Sequence, residues 1–137
     1  MFDIEKSIGF VLAKAHRQVH AELSEELEQW GITPTQFFLM AFLWQKDGLS
    51  QIELSQKTII DRTTISGVID RLENANLLTR QPCPEDRRTC LIVLTDKGRN
   101  LEDDLCRAAS HVNERISARI TPEGKVRLQE MLSTLVD

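Results

Sequence analysis

Arg87 and Arg88 stand side by side in PEDRRTCLIVLT (residues 84–95), between an acidic pair and an apolar run. Fixed positive charge at one spot is what a polyanion would seek, although the formal net charge of the chain is −4. A second group lies upstream: Arg62, Thr63, Thr64, Ser66, Gly67 and Arg71, small hydrogen-bonding residues with arginines at the flanks. His16 and His20 are four apart and could meet His111 as metal ligands, but no Asp, Glu or Cys completes the set, so neither a metal nor any other cofactor is expected. Three cysteines, Cys83, Cys90 and Cys106, are an odd number at spacings that match no C-x-x-C pair, which argues for reduced thiols. Cys83, placed in a charged loop, is the candidate for a redox response; a passive surface thiol is the competing reading. No nucleophile with a neighbouring base, phosphate-binding glycine loop or carboxylate pair is visible, and an enzyme is not expected.

The charge is unevenly spread. Residues 50–100 hold eight Lys and Arg against seven Asp and Glu, and the flanks hold nine against fourteen. Only the middle of the chain favours a polyanion, and by too little for charge alone to decide. At 137 residues and 41% hydrophobic content the chain can build one core. No apolar run reaches the roughly 20 residues of a membrane helix, and the N-terminus lacks the features of a secretory signal, so a cytoplasmic protein with no membrane partner is expected.

The elements that must position these residues follow from periodicity. Apolar residues recur at helical spacing over 4–30 (Ile4, Ile8, Val11, Leu12, Ala15, Val19, Leu23, Leu27, Trp30) and predict one long amphipathic helix ending before Gly31. Thr33-Pro34-Thr35-Gln36 reads as an N-cap, a first-turn proline and a capping-box partner for a helix to about Gln45. That helix is apolar on every side, so it must be covered all round. Ser50 opens a second capping box with Glu53 and a short helix to about Lys57, and Asp61 is the N-cap candidate for a helix to about Ala75. Residues 77–81 and 89–94 read as two strands of a hairpin whose charged tip spans 82–88. Thr95 begins another long helix, and Thr121-Pro122 caps the last.

A helix pair joined by the brief Thr58-Ile59-Ile60 turn, with a charged hairpin directly after it, is the order of a winged helix-turn-helix. In the second helix of the pair, Ile65, Val68, Ile69 and Leu72 cluster on one side. Thr63, Ser66, Gly67, Asp70 and Asn74 fall on the other, with Arg62, Thr64 and Arg71 at the flanks. Such an exposed face suits the roughly 12 Å wide major groove of DNA. Gly67 costs a helix up to about 1 kcal/mol relative to Ala; close approach to a groove wall and close packing against another backbone account for it equally well.

The chain resembles the MarR family of bacterial transcriptional regulators over nearly its whole length. The resemblance is most specific in LSQIELSQKTIIDRTTISGVIDRLENANLLTRQPCPEDRRTCLIVLTDKGRNL, where Asp86, Arg88, Leu94, Thr95 and Gly98 match the family's Asp-x-Arg wing and Leu-Thr-x-x-Gly helix start. Two positions depart from the pattern: Gly67 stands where many members carry arginine, and Asn76 where a glycine is usual. The resemblance implies a mainly α fold with a small β-hairpin wing. Residues 33–98 would form the DNA-binding lobe, and residues 1–30 and 99–137 the dimerisation helices. It implies that Arg88 enters a minor groove, where a narrow groove concentrates negative potential, with Arg87 beside it and Asp86 orienting an arginine or tying the wing to the body.

The apolar stripes of the terminal helices require cover, and the resemblance implies a two-fold homodimer on a pseudo-palindromic double-stranded operator. The function so implied is a repressor released by a small aromatic or lipophilic effector, held in a crevice lined by Phe37, Met40 and Trp44 with His16 as partner for a carboxylate. A core role for those aromatics is the alternative. Competing readings of the whole chain are a winged-helix protein-interaction module that has lost DNA binding, suggested by the acidity, Gly67 and Asp70, and a redox- or metal-responsive regulator.

Overall fold

The computed structural model describes residues 1–137, which fall into two compact units: Leu27–Cys106, and Met1–Glu26 together with Arg107–Asp137. The fold is mainly helical with one small sheet, as the sequence implies. The helices are α1 (Ile8–Leu27), α2 (Pro34–Gln45), α3 (Gln51–Thr58), α4 (Arg62–Asn74), α5 (Asp96–Asn100), α6 (Glu102–Ser117) and α7 (Pro122–Val136). The strands are β1 (Leu49–Ser50), β2 (Leu78–Pro82) and β3 (Cys90–Leu94), all antiparallel in the order β1-β3-β2.

In the central unit α2 is covered on most sides, but not all round as its apolarity predicts: Phe38 is 39% exposed, and Ala41, Phe42 and Trp44 are half-buried. Leu39, Met40 and Leu43 have no exposed surface, and the Thr33–Gln36 capping box is formed in both directions. Around it close Leu54 of α3, Ile65, Ile69 and Leu72 of α4, and Leu78 and Ile92 of the sheet, all fully or almost fully buried. The Ser50–Glu53 box starts α3. Asp61 takes the extended N-cap backbone before α4, but its carboxylate makes no cap bond; its carbonyl receives the amides of Thr64 and Ile65 at 3.0 and 2.9 Å.

The hairpin has a third strand that the sequence does not announce. Leu49 pairs with Ile92 and Ser50 with Leu91, and the Gly48 amide donates to the Ile92 carbonyl at 3.0 Å. Two residues are too few to display a period of two. The Leu-Thr-x-x-Gly run has a local reason here. The Thr95 hydroxyl receives the Gly98 amide at 3.1 Å and donates to the Asn76 carbonyl at 2.6 Å, and a β-carbon at residue 98 would overlap the Leu77 carbonyl oxygen. Only glycine fits that approach. Asn76 itself is left-handed, with φ 61°, a conformation asparagine tolerates better than most residues.

The expected long helix from residue 95 is broken at Leu101, whose ψ of −11° separates α5 from α6. At the same turn the Trp44 indole N–H donates to the Gly98 carbonyl at 3.0 Å. The helix expected over 4–30 is shorter too: Ser7 turns extended and caps α1, leaving a 3-10 turn at Ile4–Lys6, and a second 3-10 turn over Glu28–Trp30 ends at left-handed Gly31.

In the terminal unit α1 meets the end of α6 and the turn after it through charge. Arg119 grips the Glu22 carboxylate with two guanidinium nitrogens at 2.8 and 2.5 Å, and Arg115 reaches Glu22 at 3.5 Å. The Arg119 hydrogen bonds are the main reason that the Glu22 carboxyl falls from 4.5 to about 2. His111 approaches Glu26 at 3.5 Å. Apolar residues of this unit, by contrast, lie largely open: Ile8, Val11 and Val19 on α1, and Val126, Met131 and Leu135 on α7.

Candidate nucleic-acid interface

Helix α4 is half core and half surface, as its pattern requires. Ile65, Val68, Ile69 and Leu72 are buried, while Arg62, Thr63, Thr64, Asp70, Arg71 and Asn74 are exposed and Ser66 and Gly67 half-buried. A β-carbon added at Gly67 would meet nothing within 4 Å. No neighbour in the protomer therefore demands a glycine there, and close packing within the chain is removed as its explanation. The turn before α4 holds Ile59 left-handed, with φ 56° and the side chain in solvent, a rare conformation for a β-branched residue.

The wing tip is a built turn rather than a loose loop. The Asp86 carboxylate receives the Arg88 amide at 3.0 Å and the Thr89 hydroxyl at 3.2 Å, and the Cys83 amide donates to the Thr89 carbonyl at 2.9 Å. Asp86 thus orients Arg88 through its backbone, leaving the guanidinium of Arg88, and that of Arg87, exposed. A cleft of about 300 Å³ runs between α3, the start of α4 and the wing, lined among others by Gln51, Ser55, Arg62 and Arg88. The two arginines reach its walls from different elements, so positive charge converges where the exposed start of α4 meets the wing.

Sequence reasoning missed one residue in this region. Arg80 of β2 lies under α4, with its guanidinium 2.7 Å from Asp70 and 3.0 Å from Glu73, and it donates to the Ser66 carbonyl at 3.2 Å. The Arg80 amide also donates to Glu73 at 3.2 Å. The signal lay in the pairing of Asp70 and Glu73 three apart on one helix with an arginine just beyond the turn, but only strand register shows which arginine meets them. Asp70, an obstacle to DNA when read from the sequence, is therefore an ion-paired carboxylate.

The candidates for an effector are placed differently. Met40 is fully enclosed and Phe37 nearly so, with the Phe37 ring edge-on to Trp44 at 6.0 Å, so these side chains fill the core of the central unit. Trp44 is half-buried and its indole is engaged by Gly98. His16 is exposed on α1, its ring 5.6 Å from that of His20. No group of three or more His, Cys, Asp or Glu is placed to hold a metal ion. Cys90 is the exposed thiol, whereas Cys83 and Cys106 are half-buried. Burial, reinforced by Glu102 and Asp103, raises the pKa of the Cys106 thiol.

A helix pair whose second member presents a polar face, followed by a wing that delivers arginines beside it, defines a winged-helix transcriptional regulator that binds DNA. The model of the MarR family matches residues 32–90. The chain is 30% identical to the HTH-type transcriptional regulator MhqR of Bacillus subtilis over 96% of its own length and 81% of that protein. It is 27% identical to the HTH-type transcriptional repressor NicR of Pseudomonas putida, over 99% of this chain and 86% of the relative. Among solved structures, that of Bordetella bronchiseptica BpsR, described as showing a mechanism for regulation of DNA binding by 6-hydroxynicotinic acid, superposes with a TM-score of 0.93 at 26% identity, over 100% of this chain and 98% of that one. The protein belongs to the MarR family. No helix is long and apolar enough to cross a membrane.

Proposed function

We propose that this regulator acts as a homodimeric repressor in which α4 reads the major groove through Arg62, Thr63, Thr64, Ser66, Gly67 and Arg71, and the wing places Arg88, with Arg87 beside it, in the adjoining minor groove. The observation that supports this most is the convergence of Arg62 and Arg88 on one cleft at the exposed start of α4. An arginine in a narrow minor groove is held by local potential, so the net acidity of the chain does not oppose it. The open space at Gly67 fits a face left clear for a ligand the size of a groove wall. The bare apolar residues of α1 and α7 supply the reason for a dimer, since a patch of that kind in water marks an interface. Two-fold pairing would present two copies of α4 to a pseudo-palindromic operator, roughly 34–36 Å apart.

The effector is a small aromatic acid. This follows BpsR, whose DNA binding is tied to 6-hydroxynicotinic acid. To regulate, such a ligand must bind the DNA-incompetent state more tightly, and a coupling of about 1–3 kcal/mol would lower operator affinity about 5- to 150-fold.

Selection of duplexes from a random pool by the purified protein tests the reading. A motif with two-fold symmetry is expected, with affinity falling steeply as salt rises because each neutralised phosphate adds about −0.9 to the logarithmic slope. Recovery of no motif, or binding insensitive to salt, overturns it.

A further inference from the structure

Helix α4 carries two carboxylates, Asp70 and Glu73, on a surface that would have to approach DNA phosphates. Their side chains are 58% and 39% exposed, while that of Arg80 between them is 23% exposed. Left alone, these carboxylates would repel phosphate in a site where like charges are costly to bring together. Arg80 meets both, at 2.7 and 3.0 Å, and its third contact is the Ser66 carbonyl at 3.2 Å, one turn back on the same helix. The planar guanidinium suits this fork of acceptors, whereas an ammonium acts as a single point charge. Arg80 comes from β2, the strand that leads into the wing, so the same side chain also ties α4 to that strand.

We propose that Arg80 is the built-in counter-cation of the recognition helix: it cancels Asp70 and Glu73 so that α4 can lie against a polyanion, without touching the DNA itself. It is a positioning residue, and the inference rests on the reading of α4 as the DNA-facing helix. The role accounts for an acidic residue on the exposed face of a DNA-binding helix. It also separates Arg80 from Arg87 and Arg88, whose charges are exposed and unshared.

The test is operator affinity, measured by fluorescence anisotropy on DNA selected by the wild-type protein, with thermal unfolding followed for every variant. Arg80→Met should weaken binding roughly tenfold or more, the size of losing a charge-assisted interaction. Adding Asp70→Asn and Glu73→Gln to Arg80→Met removes the exposed negative charge, and the carboxamide oxygen introduced at position 73 can still accept from the backbone amide of residue 80. This triple variant should return to within about threefold of wild type. Arg80→Lys keeps the charge and should lose less than Arg80→Met, which keeps the comparison open if the methionine variant unfolds. If the wild type selects no operator, the DNA reading fails and this inference with it. If the wild type binds and Arg80→Met binds equally well, the inference alone fails. A triple variant that is folded but as weak as Arg80→Met overturns the counter-cation role and makes Arg80 a direct DNA contact.

Discussion

The two units of the chain solve the problem of apolar residues in opposite ways. In the central unit Leu39, Met40, Leu43, Leu54 and Ile69 are shut away completely within one protomer. In the terminal unit Ile8 is 65% exposed, Met131 57% and Leu135 56%, and what joins α1 to α6 and the turn after it includes a half-exposed ion-pair ladder from Glu22 and Glu26 to Arg115 and Arg119. The first is a complete core and the second lacks half of one. The contrast teaches that the DNA-reading surface can be specified by a single chain, whereas the remainder of the fold is written for two copies.

The largest expected effect follows directly. Leu43→Ala, in the closed core, should cost about 2–5 kcal/mol of stability in denaturant unfolding. Replacing Met131 and Leu135 together by Glu should leave the unfolding of the central unit nearly unchanged and yield a monomer in sedimentation at micromolar concentration. A double variant that stays dimeric would place the interface elsewhere and break the comparison.

A smaller effect should come from acid. Glu22 has its folded pKa lowered to about 2 from 4.5, so the stability it supplies is complete above about pH 4.5 and is lost as the pH falls toward 2. Because the pair with Arg119 is partly in solvent, the loss should be modest and should shrink at high salt. Thermal unfolding compared between wild type and Glu22→Gln checks it: the two should differ at pH 6 and converge near pH 2. A constant difference across that range would mean that Glu22 acts through packing rather than charge.

How much of this was legible beforehand differs between elements. Helix α2 and the capping boxes at Thr33 and Ser50 could be read because propensity, pattern and cap chemistry agree there. The buried stripe of α4 was equally plain. Strand β1 was not, since two residues show no period. The break at Leu101 was also hidden, because Leu101 is itself no helix breaker; it falls one turn after Gly98, whose carbonyl accepts the Trp44 indole N–H. In the candidate site the sequence pointed to Arg88 and to Asp86 as its organiser, leaving two routes open for Asp86. The structure adds that Asp86 works on the backbone amide. Arg80 went unnoticed because its partners lie across a strand-to-helix contact that only folding creates. Met40 and Trp44 show the converse difficulty: an aromatic and apolar helix looks alike in sequence whether it lines a ligand site or fills a core.

The central claim is that the wing and the start of α4 form one DNA-reading surface, and the affinity of Arg88→Ala for the selected operator tests it most directly, with Lys125→Ala on α7 as the reference. The arginine variant should bind roughly tenfold or more weakly than wild type, with a shallower dependence on salt, while the lysine variant stays within about twofold. Equal losses in the two variants would contradict the claim.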